Sequence, residues 1–297
     1  MAGLTGARLQ RADGLAVERQ TRSMLDAKFD ASAYWKERLR QHFDLIGVGF
    51  RRRSAAYNRW VYRVRTESLD ELFRRHDWLI EGKTVLDVGC GTGYFIDHWL
   101  HRGAHQVMGL DVTEVSVERL AKRFPNAEFV CADIAEPSLD VDRTFDYVSI
   151  FDVLYHIVDE NRFEQAVQNL SRRCRPGSRV IITDLFGRRT TEVVKHVRNR
   201  SLDRYREVFS KNGFELCDIR PLFFTLMPPS RLGRWPGYWA GTLGWEILTF
   251  AARWEWPGRV VGRVLYGVDS RFRRWFRRGP SHHLAVFEYT GTVRTPE

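Results

Sequence analysis

The chain has 297 residues, 43% of them hydrophobic and 28% charged, with a formal net charge of +10. That is apolar material enough for one large α/β domain with additions, and it excludes a disordered or fibrous chain. Lysine is sparse, so nearly all of the 47 basic residues are arginine; this bias follows genome composition as readily as function, and a phosphate-binding surface needs the arginines gathered on one face.

Residues 1–30 are polar and weakly patterned, and are expected to be a flexible N-terminus without the apolar run of a secretory leader. From Ala31 to Trp78 the periodicity is helical. Tyr34, Trp35 and Leu39, then Trp60, Tyr62, Leu69, Leu72 and Phe73 recur at near-helical spacing, with a turn at Gly47–Gly49 between them. This stretch reads as a helical lead-in lying across the main domain. Short β-rich runs then alternate with amphipathic helices. Strands are expected at Thr84–Val88, Gln106–Leu110, Glu128–Cys131, Phe145–Ile150 and Arg179–Thr183. Helices are expected at Tyr94–Arg102, Val115–Phe124 and Phe163–Cys174, with Pro176-Gly177 ahead of the fifth strand. A further helix after Ser201, a strand at Phe214–Arg220 and a last strand at Leu284–Tyr289 complete the pattern. Such alternation means a parallel, doubly wound sheet, with its ligand at the carboxyl edge of the strands.

Between the last two strands, 226–281 holds six of the ten tryptophans (Trp235, Trp239, Trp245, Trp254, Trp256 and Trp275), interleaved with arginines. It reads as a helical insertion whose aromatics are either core or a working face. Its longest apolar stretch, Tyr238 to Ala252, is interrupted by Glu246 and too short to span a bilayer. Cys90, Cys131, Cys174 and Cys217 are scattered, without the close pairs of a zinc site or a disulfide framework. A reducing, cytoplasmic compartment fits them.

The strand Val85-Leu86-Asp87-Val88 runs straight into Gly89-Cys90-Gly91-Thr92-Gly93 and then a helix. A glycine-rich strand-to-helix turn on its own holds NAD, FAD or a mononucleotide equally well. Asp87 separates these readings. An acid just before the turn repels a pyrophosphate and suits a ligand with an ammonium, such as the methionine end of S-adenosylmethionine. Asp111 ends the second strand about 20 residues past the central glycine, where a carboxylate reaches ribose hydroxyls. Asp133 follows the third strand, placed to accept from an adenine amino group while Val112 and Ile134 sandwich the ring.

The runs VLDVGCGTG, GLDVT, CADI, FDYVSIFDVLYHI and RPGSRVIITD resemble, in family order, the motifs of class I S-adenosylmethionine-dependent methyltransferases of small-molecule type. The resemblance covers about Thr84 to Gly213 and the final strand. It implies a Rossmann-like α/β fold: a seven-stranded doubly wound sheet, order 3-2-1-4-5-7-6, last strand antiparallel. The division is then 1–30 flexible, 31–82 helical cap, 83–225 cofactor-binding core, 226–281 helical insertion, and 282–297 final strand and tail. Asp87, Gly89, Cys90, Gly91 and Gly93 would line the methionine end, Asp111 the ribose, and Asp133 the adenine, with Val112 and Ile134 on either side of its ring. Phe151 would border the transferred methyl.

Catalytic residues are poorly fixed by motif in such enzymes, because methyl transfer needs alignment and desolvation more than covalent help. The segment Phe151–His156 lacks the Asn/Asp-Pro-Pro-Tyr signature and resembles enzymes acting on hydroxyls or amines of small molecules. His156 is the natural general base, with Tyr155 and Asp152 as alternatives; otherwise His156 is a structural residue opening the next helix. Asp184 is expected at the site edge, and with Asp152 it makes too common a pair to argue for a metal, so none is expected. The expected function is methyl transfer to a small-molecule, sugar or lipid-linked acceptor at oxygen. The lipid-linked case brings peripheral contact with the inner membrane face through 226–281. The alternatives are a tRNA-modifying enzyme, since Leu154-Tyr155-His156 also resembles a tRNA wobble-uridine carboxymethylating enzyme, and a non-catalytic cofactor-binding scaffold.

Overall fold

Five strands make the parallel part of the sheet: β1 (Thr84–Val88), β2 (Gln106–Asp111), β3 (Glu128–Cys131), β4 (Phe145–Phe151) and β5 (Cys174–Asp184). The computed structural model describes residues 30–187, 190–194, 197–229 and 236–292, with backbone alone for 191–194 and 236–239. The expected flexible stretch falls almost wholly outside these, as does Trp235. A short hairpin, β6 (Thr191–Val194) and β7 (Val197–Asn199), stands apart from the main sheet. Two further strands, β8 (Phe214–Pro221) and β9 (His283–Tyr289), complete the main sheet in the order β3-β2-β1-β4-β5-β9-β8. β9 runs antiparallel to both its neighbours. Leaving out the separate hairpin, this is the expected 3-2-1-4-5-7-6. The hairpin was not foreseen, since its strands of four and three residues are too short for a period-2 signal.

The chain winds outward from β1 to β2 and β3, then crosses back to β4 on the other side of β1. That reversal opens a crevice at the carboxyl ends of β1 and β4. Side chains alternate across the sheet, so Val85, Val107 and Ile181 face one layer while Leu86, Met108 and Ile182 face the other. The first layer holds three helices, α3 (Ala55–Arg75), α4 (Tyr94–His101) and α5 (Glu114–Arg123). The second holds α6 (Glu160–Arg172) and α7 (Leu202–Lys211). Ahead of α3 come α1 (Ala31–Gln41) and the single turn α2 (Leu45–Val48), capped by Asp44, whose carboxylate accepts from the N–H groups of Ile46 and Gly47.

Both ends of α6 and the start of β5 differ from expectation by more than one residue, each for a local reason. Asp159 accepts from the Arg162 N–H at 3.0 Å, so α6 starts at this cap, three residues before its first large apolar side chain, Phe163. At its other end Cys174 belongs to β5, paired with Phe145. The strand thus takes in Pro176-Gly177 at a break in register. Ser178 Oγ accepts from the Arg175 N–H at 2.9 Å and donates to Phe145 O at 2.6 Å, satisfying the backbone there.

The segment before β9 folds as α8 (Pro236–Leu248), a 3-10 turn (Phe250–Arg253) and α9 (Glu255–Trp275). α9 lies against α3 closely enough that a Cβ on Gly262 would come within 2.4 Å of the Trp60 ring. The Glu255 carboxylate caps α3 by accepting from the N–H groups of Ala55 and Ala56, at 2.9 and 3.1 Å.

Candidate active site

A cavity of about 390 Å³ sits at the carboxyl ends of β1, β2 and β4, a size that holds one drug-sized molecule. Its floor is the glycine turn after β1, and Asp111, Asp133 and Phe151 lie along its sides. Trp35 and Arg38 of α1, with Phe50, roof it from the lead-in; Met227 and His282 close it from the segment leading to β9.

Four of the five backbone amides of the turn are already occupied. Gly89 and Cys90 both donate to Leu110 O, at 2.6 and 3.2 Å, and Gly93 donates to Cys90 O at 2.8 Å. The Gly91 N–H is held by Asp111 Oδ2 at 2.8 Å. A pyrophosphate site works by offering such N–H groups to the ligand; here these four point into the protein. Glycine is needed at Gly89 and Gly91, with φ of +71° and +53°. A Cβ at Gly89 would also meet Val153 at 2.3 Å, and one at Gly91 would meet Val48 of α2 at 2.9 Å.

Asp87 lies beneath this turn, buried and outside the residues that line the cavity, as does Gly93. Ser149 donates to Asp87 Oδ1 at 2.6 Å, and the Trp99 indole N–H in turn donates to Ser149 at 3.0 Å. Burial pushes the Asp87 carboxyl up to about 7, with the Asp111 charge adding to the rise. Asp111 is also raised by burial, although Thr113 donates to it through both its N–H and its hydroxyl. Two carboxyls thus lie buried at the floor, while Arg123 reaches the turn from α5 and donates to Thr92 O at 3.4 Å. Cys90 lines the cavity, and burial holds its thiol protonated. At the far end Asp133 accepts from the Ala135 N–H at 2.8 Å and pairs with Arg162 at 2.7 Å, between Val112 and Ile134 in chain order.

The loop after β4 gathers the remaining candidates. Asp152 has a left-handed backbone, φ +60°, unusual for a non-glycine residue and a form of strain that clusters at working sites. Its carboxylate pairs with the buried Arg65 of α3 and accepts from the Thr183 hydroxyl at 2.9 Å. Arg65 lies over the Tyr62 and Phe223 rings. Tyr155 and His156 lie in a single 3-10 turn, Leu154–His156, their rings 4.4 Å apart, and the His156 ring meets Trp35 edge-on at 5.1 Å. Burial drives the Tyr155 hydroxyl well above its ordinary range, which makes it a hydrogen-bond donor. His282, just before β9, faces the same space, and burial lowers it to about 4, so its imidazole is neutral.

The structure brings His156, Tyr155, Asp152, Gly89, Cys90, Gly91, Asp111, Val112, Asp133, Ile134 and Phe151 around one cavity. Asp184 is a correction. It is fully buried and turned away from the site edge, accepting from the Tyr205 hydroxyl and the Leu185 N–H. Burial lifts it to about 7. Among the described residues no cluster of three His, Cys, Asp or Glu stands ready for a metal. Sequence reasoning passed over Arg65, Arg162 and His282. The signals were there: a lone cation on the otherwise apolar face of α3, a cation in the first turn of α6, and the pair His282-His283 entering the last strand.

Residues 85–177 match the family described as Methyltransferase domain. A probable S-adenosylmethionine-dependent methyltransferase of Mycolicibacterium smegmatis is 31% identical over 164 residues, covering 51% of this chain and 62% of that one. A ubiquinone biosynthesis O-methyltransferase of Neisseria meningitidis is 33% identical over 96 residues, 31% of this chain and 40% of its own. A tRNA U34 carboxymethyltransferase of Alteromonas mediterranea is 28% identical over 179 residues, 54% and 53% of the two chains. The aligned part therefore spans less than two thirds of each relative's length. Sheet order, glycine turn and family match together define a methyltransferase domain. Over residues 85–177 the chain is a methyltransferase domain similar to S-adenosylmethionine-dependent methyltransferases, and S-adenosylmethionine is the cofactor this similarity supports.

Proposed function

We propose that the protein transfers the methyl group of S-adenosylmethionine to a hydroxyl of a small-molecule, sugar or lipid-linked acceptor. The observation that carries this is the glycine turn, whose four amides at Gly89, Cys90, Gly91 and Gly93 are occupied internally above a buried acid, so that the floor suits a cationic amino-acid tail. Asp87 acts through the field it sets beneath Gly89, Cys90, Gly91 and Gly93. Asp111 takes the ribose, and Val112 lies on one face of the adenine. Asp133, steadied by Arg162, and Ile134 take the adenine, and Phe151 borders the methyl.

The bound cofactor supplies an electrophilic methyl on a sulfonium. His156 would accept the proton of the acceptor's hydroxyl, leaving that oxygen able to take the methyl the cofactor would supply. Tyr155, held protonated, donates to the acceptor, and Asp152, committed to Arg65 and Thr183, holds the loop and its charge in place. Transfer of labelled methyl from S-adenosylmethionine into small-molecule, lipid and tRNA fractions tests the reading. Label is expected in the first or second fraction, with His156→Ala lowering the rate by roughly 10²–10⁴-fold, the range of a lost general base. Label in tRNA alone, retained in a strongly salt-dependent complex, would favour the second reading, which the similarity to a tRNA U34 carboxymethyltransferase supports. Cofactor binding with no fraction labelled would make the protein a scaffold.

A further inference from the structure

α8 and α9 each turn an exposed apolar stripe outward, with no partner among the described residues. Leu243 and Ile247 of α8 are 62% and 69% exposed, and Trp256, Val260 and Val264 form one exposed stripe of α9 at four-residue spacing. This face is not a core that failed to close, because the opposite stripe of α9 is the packed one. Gly258 and Gly262 are pressed against Ser54 and Trp60, and Leu265 and Asp269 are buried.

Charge is sorted along the same line. From 236 to 278 there are three acids, all committed to the protein side. Glu246 pairs with Arg53 at 2.7 Å, Glu255 caps α3, and Asp269 accepts from Thr225 and Leu226. Seven arginines between Arg253 and Arg278 are exposed, and none pairs with a carboxylate among the described residues. Trp275, 82% exposed, ends the helix among them.

We propose that this face docks the protein on an anionic lipid bilayer. Aliphatic side chains enter the acyl boundary, tryptophans sit at headgroup level, and arginines meet the phosphates. The observations favour this occupant over two others. Leu243, Ile247, Val260 and Val264 offer an RNA neither a stacking plane nor a phosphate donor. A second copy related by a twofold axis would bring the arginines against themselves. Docking also deepens the reading above. Trp245, on the packed side of α8, meets Phe50, a wall of the cavity, at 5.1 Å, so one helix carries part of the docked face and braces the cavity wall. That placement favours an amphiphilic acceptor drawn from the bilayer.

The test is flotation of the full chain with phosphatidylcholine–phosphatidylglycerol vesicles against phosphatidylcholine alone. S-adenosylhomocysteine binding and thermal melting on the same samples report the fold. The chain is expected to float with the anionic vesicles only. Arg271→Gln and Arg274→Gln should each lower partitioning by about fivefold. The double variant Ile247→Glu/Trp256→Glu should stay at the bottom while still binding S-adenosylhomocysteine. A folded, ligand-binding chain that fails to float overturns the docking and leaves the methyltransferase reading standing. Flotation without ligand binding does the reverse. Retention of tRNA, or a dimer in sedimentation, that the double variant abolishes in the absence of flotation also overturns the docking.

Discussion

Asp87 shows how one buried side chain links protonation, stability and ligand choice. With its carboxyl raised to about 7 by burial, the native chain keeps a proton that the unfolded chain releases near pH 4. Between those values the unfolded state binds fewer protons, so this residue lowers stability as pH rises through the window. Asp87→Asn removes the dependence. Melting curves across that range should therefore show the variant gaining on the native chain as pH rises. A gap that stays constant would mean that Asp87 is ionised throughout. A ligand ammonium nearby favours the ionised carboxyl, so S-adenosylhomocysteine should bind more tightly up to about pH 7, with proton release. The placing of Gly89, Cys90, Gly91, Asp111 and Asp133 around one cavity was legible at this scale because acids and glycines at strand ends are set by their spacing, while the lie of Asp87 and Gly93 outside its lining was not. His282 was not, since its neutrality arises from burial that only the tertiary fold provides.

The decisive contacts between elements join the lead-in to the sheet edge. Arg65 of α3 reaches Asp152 after β4, across 87 residues of chain, and both are largely shielded from water. Removing one partner of such a pair leaves the other uncompensated, so Arg65→Met should cost about 3 kcal/mol in denaturant unfolding. Adding Asp152→Asn should recover much of that; a double variant no better than the single would show the pair to be incidental. Over the glycine turn, Val48 of α2 stands where a Cβ on Gly91 would go. Gly91→Ala therefore strains the turn and lifts α2 together, and calorimetry should record a loss of S-adenosylhomocysteine affinity larger than the loss of stability. The main strands were readable from alternation and turn residues, and α5 from its periodicity. The start of α6 and the extension of β5 through Pro176-Gly177 were not, because a cap at Asp159 and a serine bridge at Ser178 decide them.

For the molecule as a whole, one sheet carries two unlike layers. The face under α6 and α7 is a closed core. The face under α3 and α4 continues through the lead-in into α9, and the cavity opens at its edge. The Trp/Arg composition of 226–281 announced something unusual but not its arrangement. Composition cannot tell a stripe turned inward from one turned outward, and only the packing of Gly258 and Gly262 against α3 settles it. The account rests on the cavity floor preferring a cationic amino-acid tail to a phosphate. Titration calorimetry of the purified chain with S-adenosylhomocysteine and, separately, with NADH tests this most directly. Saturable heat with S-adenosylhomocysteine and none with NADH is the predicted result; heat with NADH and none with S-adenosylhomocysteine would contradict it.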